Sequence, residues 1–440
     1  MAYKKVQEIG KGGFGIVDEV EDDNSNRWAR KTFAPPSIPG ISADDLRARF
    51  EREVRYQSEI DHANVVVIHD YDLAANPPWF IMELADGTLA EEINADRTLG
   101  GDPRKPLFDI LAGLEAIHGK GYKHRDLNPK NVLRFGGAAP RYAISDFGLM
   151  SVTAGQTTTL TATNQAGGTL HYQSPECAID VKRATTQSDI YSFGALLHDI
   201  FAGGAARVPH TELTVAGPLG PIIEKCTKRN LHRRYKSVAA LREDLYKVLS
   251  TEKVIFASKE EAEIVTLLEG KSSLTDDEWD RVFLQMDENE DHHRSNHAIY
   301  RALSHDHLLQ LAKDATELLM ALGQGYARYA QTRSFDFDYC DVLASKAEVF
   351  YEHGELDLQA FIALAMLELG TSHNRWFVER VFMEMAGASI SDALANRIKV
   401  EIEVQSVDFC SRIRHLERSI SERRDNLHPV LREILVGCPE

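Results

Sequence analysis

The stretch Gly10-Lys11-Gly12-Gly13-Phe14-Gly15-Ile16-Val17 limits the possible folds most sharply. It fits the pattern G-x-G-x-x-G-x-V and lies between two β-like runs, VQEIG and IVDEVED. Glycines let such a turn approach a triphosphate without Cβ clashes and leave backbone N–H groups facing it. A dinucleotide-binding fold would need a helix to open at this loop. A strand-like run follows instead, so the spacing predicts a β-hairpin that covers a nucleotide from above.

The chain organises itself around that hairpin. RWARKTF reads as a third strand, and VVVIHDYDL and WFIMEL as two more. Between them, ADDLRARFEREVRYQSEI carries Leu46, Phe50 and Val54 at helical spacing with charge elsewhere. From about residue 86 helical patterns dominate: PLFDILAGLEAIHGKG, TQSDIYSFGALLHDIFAGG and SVAALREDLYKVLS. After about Ser250 glycine and proline thin out and long helical patterns follow, the last one expected to run through ANRIKVEIEVQSVDFCSRIRHLERSISERRDN. The expected class is α+β: a small β-rich lobe (1–85), a larger helical lobe (86–250) and an all-helical domain (251–440).

Lys31, on the third strand, is suited to neutralising α- and β-phosphate oxygens, and it needs a carboxylate to hold it. Glu53, in the helical segment, is the candidate. Further along come HRDLNPKN (124–131), SDFG (145–148), SPE (174–176), SDIYSFG (188–194) and RRYKS (233–237). In this order and spacing, residues 1–250 resemble the eukaryotic-type Ser/Thr protein kinase family.

The resemblance implies a bilobal kinase fold, ATP and Mg2+ as cofactors, and protein hydroxyls as substrates. Carried over position by position, Asp126 is the base or orienting carboxylate, and Asn131 and Asp146 are the metal-holding pair. Gly148 frees the backbone that places Asp146. Asp189 ties down the catalytic-loop backbone, and Glu176 and Arg234 form a buried ion pair. Gly10, Gly12, Gly15, Val17, Ala29 and Lys31 line the nucleotide site. Met82 flanks the adenine pocket, and Glu83 to Ala85 form the hinge.

The chain departs from the family pattern at one place. Ser/Thr members carry a lysine two residues after the catalytic aspartate, where this sequence has Asn128. Asn128 can donate a hydrogen bond toward the γ-phosphate but brings no charge. Lys130, beyond Pro129, is the expected substitute cation. GGTLHYQSPE resembles the Ser/Thr version of the substrate-facing loop, with Thr169 expected to hydrogen-bond Asp126. The segment between Gly148 and Glu176 contains no Lys, Arg, Asp or Glu and is crowded with threonines. Autophosphorylation is expected at Thr157, Thr158, Thr159, Thr161 or Thr163, with Arg125 receiving the phosphate.

The second half differs in charge. Of the net −17, residues 1–250 contribute −2 and residues 251–440 contribute −15. That balance disfavours nucleic acid as a partner and suits a solvated regulatory domain or one that docks a protein partner. Arg423-x4-His428 and Arg301-x5-His307 superficially match the R-x4–6-H signature of HEPN-type helical ribonucleases, which keeps a kinase–ribonuclease fusion as an alternative. A catalytically silent scaffold is the other. MDENEDHHRSNH (286–297) follows neither a calcium-loop nor a zinc spacing. The most apolar run, Leu356 to Leu369, is interrupted by Asp357, Gln359 and Glu368, so no transmembrane helix or signal peptide is expected. Five dispersed cysteines without a CxxC pair suit reduced thiols and a cytoplasmic location. The oligomeric state is left open.

Overall fold

The computed structural model describes residues 3–11, 15–35, 42–136, 140–147, 169–180, 183–250, 255–292, 294–420 and 422–438. It separates into two compact units, Met1–Val248 and Leu249–Glu440.

The first unit opens with a five-stranded antiparallel sheet. Its strands are β1 (Lys4–Lys11), β2 (Gly15–Glu21), β3 (Arg27–Phe33), β4 (Ile68–Asp72) and β5 (Trp79–Glu83), in the order β1-β2-β3-β5-β4. β1 and β2, on either side of the glycine segment, pair antiparallel from Lys4–Glu21 to Lys11–Ile16, as the spacing predicts. Helix α1 (Ala43–Ser58) starts where Ser42 accepts the Asp45 N–H at 3.0 Å. Its Leu46, Phe50 and Val54 are buried against Phe33, Phe80 and Val66 of the sheet side. Each fully buried side chain of this size stabilises the lobe by about 1.5–3 kcal/mol.

In the larger lobe, β6 (Gly87–Thr88), β7 (Val132–Phe135) and β8 (Arg141–Ile144) form a short antiparallel sheet. Around it run α2 (Leu89–Ala95), α3 (Arg104–Gly119), α4 (Pro175–Ile179), α5 (Thr186–Phe201), α6 (Leu219–Thr227) and α7 (Val238–Leu249). The run VVV at 65–67, expected as strand, forms only an isolated parallel bridge from Val65 to Ile144. That bridge, with the Val66 N–H donating to Ile144 at 2.9 Å and the Ile144 N–H donating to Asn64 at 2.9 Å, joins the two lobes.

The second unit is all-helical among the described residues. Its central helix, Leu356–His373, is largely buried. Gly323 and Gly325, in the LGQGY stretch, allow close approach: a Cβ at Gly323 would lie 2.7 Å from Leu358, and one at Gly325 would lie 2.4 Å from the Tyr300 hydroxyl.

The last expected long helix is two helices, Asp392–Val404 and Phe409–Ser419. Ser406 takes a left-handed φ of 52°, and Asp408 caps the second helix by accepting the Ser411 N–H at 3.0 Å. Polar QS between two amphipathic runs thus reads as a break once the cap is seen. Cys410 and Cys438 are joined as a disulfide with a Cα–Cα distance of 5.9 Å, which corrects the expectation of thiols all free and far apart. The chain returns to that point only in space. Cys177, Cys226 and Cys340 are free and buried.

Candidate active site

Lys31 is brought to the cleft by β3, whose alternation buries Ala29, Lys31 and Phe33 together. Its Nζ lies 2.6 Å from Asp146 Oδ1 and 3.5 Å from Glu53 Oε1. Burial alone would lower the lysine's pKa, but the carboxylates of Asp146 and then Glu53 outweigh it and hold the ammonium above its ordinary value. Burial pushes the Glu53 carboxyl up to about 7, although Lys31 opposes this. Among the described residues Glu53 Oε1 makes no hydrogen bond.

The catalytic-loop segment runs from α3 into β7. Asp189, fully buried on α5, accepts the His124 N–H at 2.9 Å, the Arg125 N–H at 2.8 Å and a contact from His118 Nε2 at 2.8 Å. This clamp holds Arg125 at a φ of 70°, while Asp146 sits at 57°. A non-glycine residue in that region costs about 1–3 kcal/mol and persists only where its surroundings over-determine it. His124 Nε2 meets the Ser145 carbonyl at 2.9 Å, and the Ser145 N–H donates to Asn131 at 2.8 Å, which couples the loop to the strand leading to Asp146.

Asp126 is oriented by two amides. Asn131 Nδ2 donates to Asp126 Oδ2 at 3.1 Å, and Asn128 Nδ2 donates to Oδ1 at 3.3 Å and to the Asp126 carbonyl at 2.9 Å. Burial raises the Asp126 carboxyl to about 7, with the two amides pulling it down and the charge of Asp146 pushing it up. Asn128 is buried, and its side-chain carbonyl accepts the Lys130 N–H at 3.0 Å, so both ends of the amide make hydrogen bonds within the loop. Lys130 is exposed on the turn Pro129–Asn131.

One apolar cluster draws on both lobes. Ala29, Met82 and Ala143 are buried in one cluster, with Val17, Leu84, Ala85 and Leu133 packed against it. Gly15 is fixed sterically, since a Cβ there would lie 2.8 Å from the Thr32 carbonyl. Gly10 pairs with Val17. Glu83 is bound by Arg141 at 2.5 Å. Leu133, Ala143 and Arg141 bear no motif in the sequence, although Leu133 alternates with buried Val132 just after Asn131. Gly12, Gly148, the threonines at 157–163 and the Thr169 side chain lie outside the described residues.

The residues suit a magnesium ion. Asn131 turns its nitrogen to Asp126, which leaves its carbonyl oxygen for a hard cation, and Asp146 supplies a carboxylate. Among the described residues no group of three or more His, Cys, Asp and Glu side chains could hold a metal, so phosphate oxygens and water would have to complete the shell. In the second unit, His428 is buried against Asp392 at 3.2 Å while Arg423 is exposed, and His307 is buried with its Nε2 on the Lys271 carbonyl at 2.9 Å. Both histidines are occupied structurally.

An ammonium, two side-chain oxygen donors and an oriented carboxylate thus converge where β3, the 124–131 loop and the strand leading to Asp146 meet. Residues 3–213 match the protein kinase domain family, and the first unit belongs to it. Similar proteins include the probable serine/threonine-protein kinase PknB of Lactococcus lactis, 30% identical over 272 residues, covering 55% of this chain and 41% of that protein. Serine/threonine-protein kinase AfsK of Streptomyces coelicolor is 32% identical over 243 residues, covering 51% and 29%. Receptor-like kinase TMK2 of Arabidopsis thaliana is 31% identical over 208 residues, covering 45% and 22%. The chain spans 41% or less of the length of these three relatives. No helix among the described residues is long and apolar enough to cross a membrane.

Proposed function

We propose that the chain is an ATP- and Mg2+-dependent protein Ser/Thr kinase whose helical second unit regulates it or recruits a partner. One observation supports this most: the carboxylates of Glu53 and Asp146 both lie within 3.5 Å of Lys31 Nζ, and the charges of both Lys31 and Asp146 act on Asp126. Lys31, held charged, anchors phosphate oxygens. Asn131 and Asp146 hold the metal, which when bound neutralises charge on the transferring group. Asp126, fixed by Asn128 and Asn131, orients the substrate hydroxyl and accepts its proton. Lys130 supplies the cation that Asn128 lacks. The names of the bacterial relatives favour Ser/Thr over Tyr.

Among the described residues the buried Nε of Arg125 has no hydrogen-bond partner, which supports reception of a phosphate carried by one of the threonines at 157–163. The test is phosphotransfer from labelled ATP to the chain itself and to a generic Ser/Thr substrate, comparing wild type with Asp126→Ala and Asp146→Ala. Label on wild type alone supports the kinase reading. Equal, background label on all three favours a silent scaffold.

A further inference from the structure

Helix α1, which carries Glu53, is fastened to different lobes at its two ends. Near its start, Arg47 donates to the carbonyls of Leu73 at 2.7 Å and Ala75 at 2.9 Å, in the turn between β4 and β5. Phe50 packs on Phe33 and Phe80 of the same lobe, with ring centroids 5.4 and 5.7 Å away. The last turn reaches the other lobe. Tyr56 stacks on Tyr122 with centroids 4.8 Å apart and planes 20° from parallel. The Tyr122 hydroxyl donates to Glu59 Oε2 at 2.5 Å.

Tyr122 is itself held: its N–H donates to the Ile117 carbonyl of α3 at 3.1 Å. Two residues later comes His124, pinned by Asp189. Glu53 sits one turn before Tyr56, between the two fastenings. Its Oε1 stands 3.5 Å from Lys31 Nζ and has no hydrogen bond among the described residues. The reach of the carboxylate is therefore set by where the helix is held, and a swing of α1 away from the cleft must first unstack Tyr56 from Tyr122.

We infer that Tyr122 is a positioning residue: through Tyr56 and Glu59 it clamps the end of α1 to the start of the catalytic loop and so fixes the approach of Glu53 to Lys31. This rests on the kinase reading above and adds to it a link between the two lobes that depends on one aromatic pair.

A double-mutant cycle tests it. Tyr122→Ile, Tyr122→Phe, Glu53→Gln and the Tyr122→Ile/Glu53→Gln pair are made in the full chain. The readouts are kcat/KM for ATP and the Kd of a fluorescent ATP analogue with Mg2+, with thermal melting alongside. Tyr122→Ile should lower kcat/KM about tenfold, the scale of a sub-ångström misplacement. Tyr122→Phe, which keeps the stack, should fall no more than about threefold, because the lost hydrogen bond is solvent-exposed. In the Glu53→Gln background, Tyr122→Ile should change neither quantity further. An unchanged kcat/KM in Tyr122→Ile, or the same loss with and without Glu53, overturns the inference. If Tyr122→Ile does not fold, Tyr56→Leu replaces it in the cycle. A wild type that binds the analogue but transfers no phosphate sinks the kinase reading, while the Kd cycle still decides the role of Tyr122.

Discussion

Lys31 Nζ stands 2.6 Å from Asp146 but 3.5 Å from Glu53, so its ammonium is shared unequally between the carboxylate of Asp146 and that of helix α1. The arrangement ties the two lobes together through side chains. On the proposed kinase reading the lysine has two duties, holding Asp146 in place and meeting the phosphates.

Lys31→Met removes both duties at once. It should lower kcat/KM for ATP at least about a hundredfold, the scale of losing one preorganised electrostatic group at a phosphoryl-transfer site. Calorimetric titration with an ATP analogue should show weaker binding in the same variant. Retained binding at wild-type affinity would remove Lys31 from the nucleotide site.

Asp126→Asn separates function from stability. In the nucleotide-free, Mg2+-free protein, burial raises this carboxyl to about 7, whereas an unfolded aspartate titrates near about 3.9. Between those values the folded state binds more protons than the unfolded state, so stability falls as pH rises through the window. Asn cannot ionise and escapes this loss. The variant should transfer no phosphate yet melt higher than wild type at pH 8, with the gap closing toward pH 4. A constant gap across pH would show that the carboxyl is not the cause.

The motifs identify most of this site in the sequence because phosphate chemistry dictates residue type as well as spacing. Lys31, Asp126, Asn131 and Asp146 are recognisable for that reason. Leu133 and Ala143 are not, since an apolar wall needs only a side chain of the right size from whichever strand passes by. Asn128 shows a subtler limit. Its amide could serve a phosphate or the loop, and only the backbone turn at Pro129 settles which groups lie within reach. The break at Ser406 was equally hidden, because helical periodicity continues on both sides of it and the Asp408 cap is visible only as geometry.

Asn128→Ala and Lys130→Ala should therefore differ in kind. Asn128→Ala deletes two hydrogen bonds to Asp126 and the cap on the Lys130 N–H. It should lower kcat about tenfold or more and also lower the melting temperature, each such bond contributing about 0.5–1.5 kcal/mol. Lys130 is exposed, so Lys130→Ala should leave melting unchanged while kcat falls, and Lys130→Arg should restore most of it. If Lys130→Ala and Lys130→Arg both turn over like wild type, the substitute-cation role is lost and the kinase reading stands.

Arg234 and Glu176 give the stability test for the large lobe. Arg234 is 2% exposed, and its two terminal nitrogens lie 2.7 and 2.8 Å from the two Glu176 oxygens. It also donates to the Gln187 and Lys228 carbonyls at 2.9 and 2.7 Å, so it joins three segments at once. Burial works to raise the Glu176 carboxyl, but the Arg234 hydrogen bonds and charge win and hold it below its ordinary value. Arg234→Ala strands a largely buried carboxylate and should cost about 3–5 kcal/mol. Because a depressed carboxyl stabilises the fold above its unfolded value of about 4.3, the wild-type advantage should persist at neutral pH and shrink as pH falls below that value. Glu176→Ala/Arg234→Leu removes both charges, so denaturant melts at pH 7 should show it costing less than Arg234→Ala alone. A double variant as unstable as the sum of its singles would mean that the carbonyl contacts of Arg234, and not the ion pair, hold the lobe together.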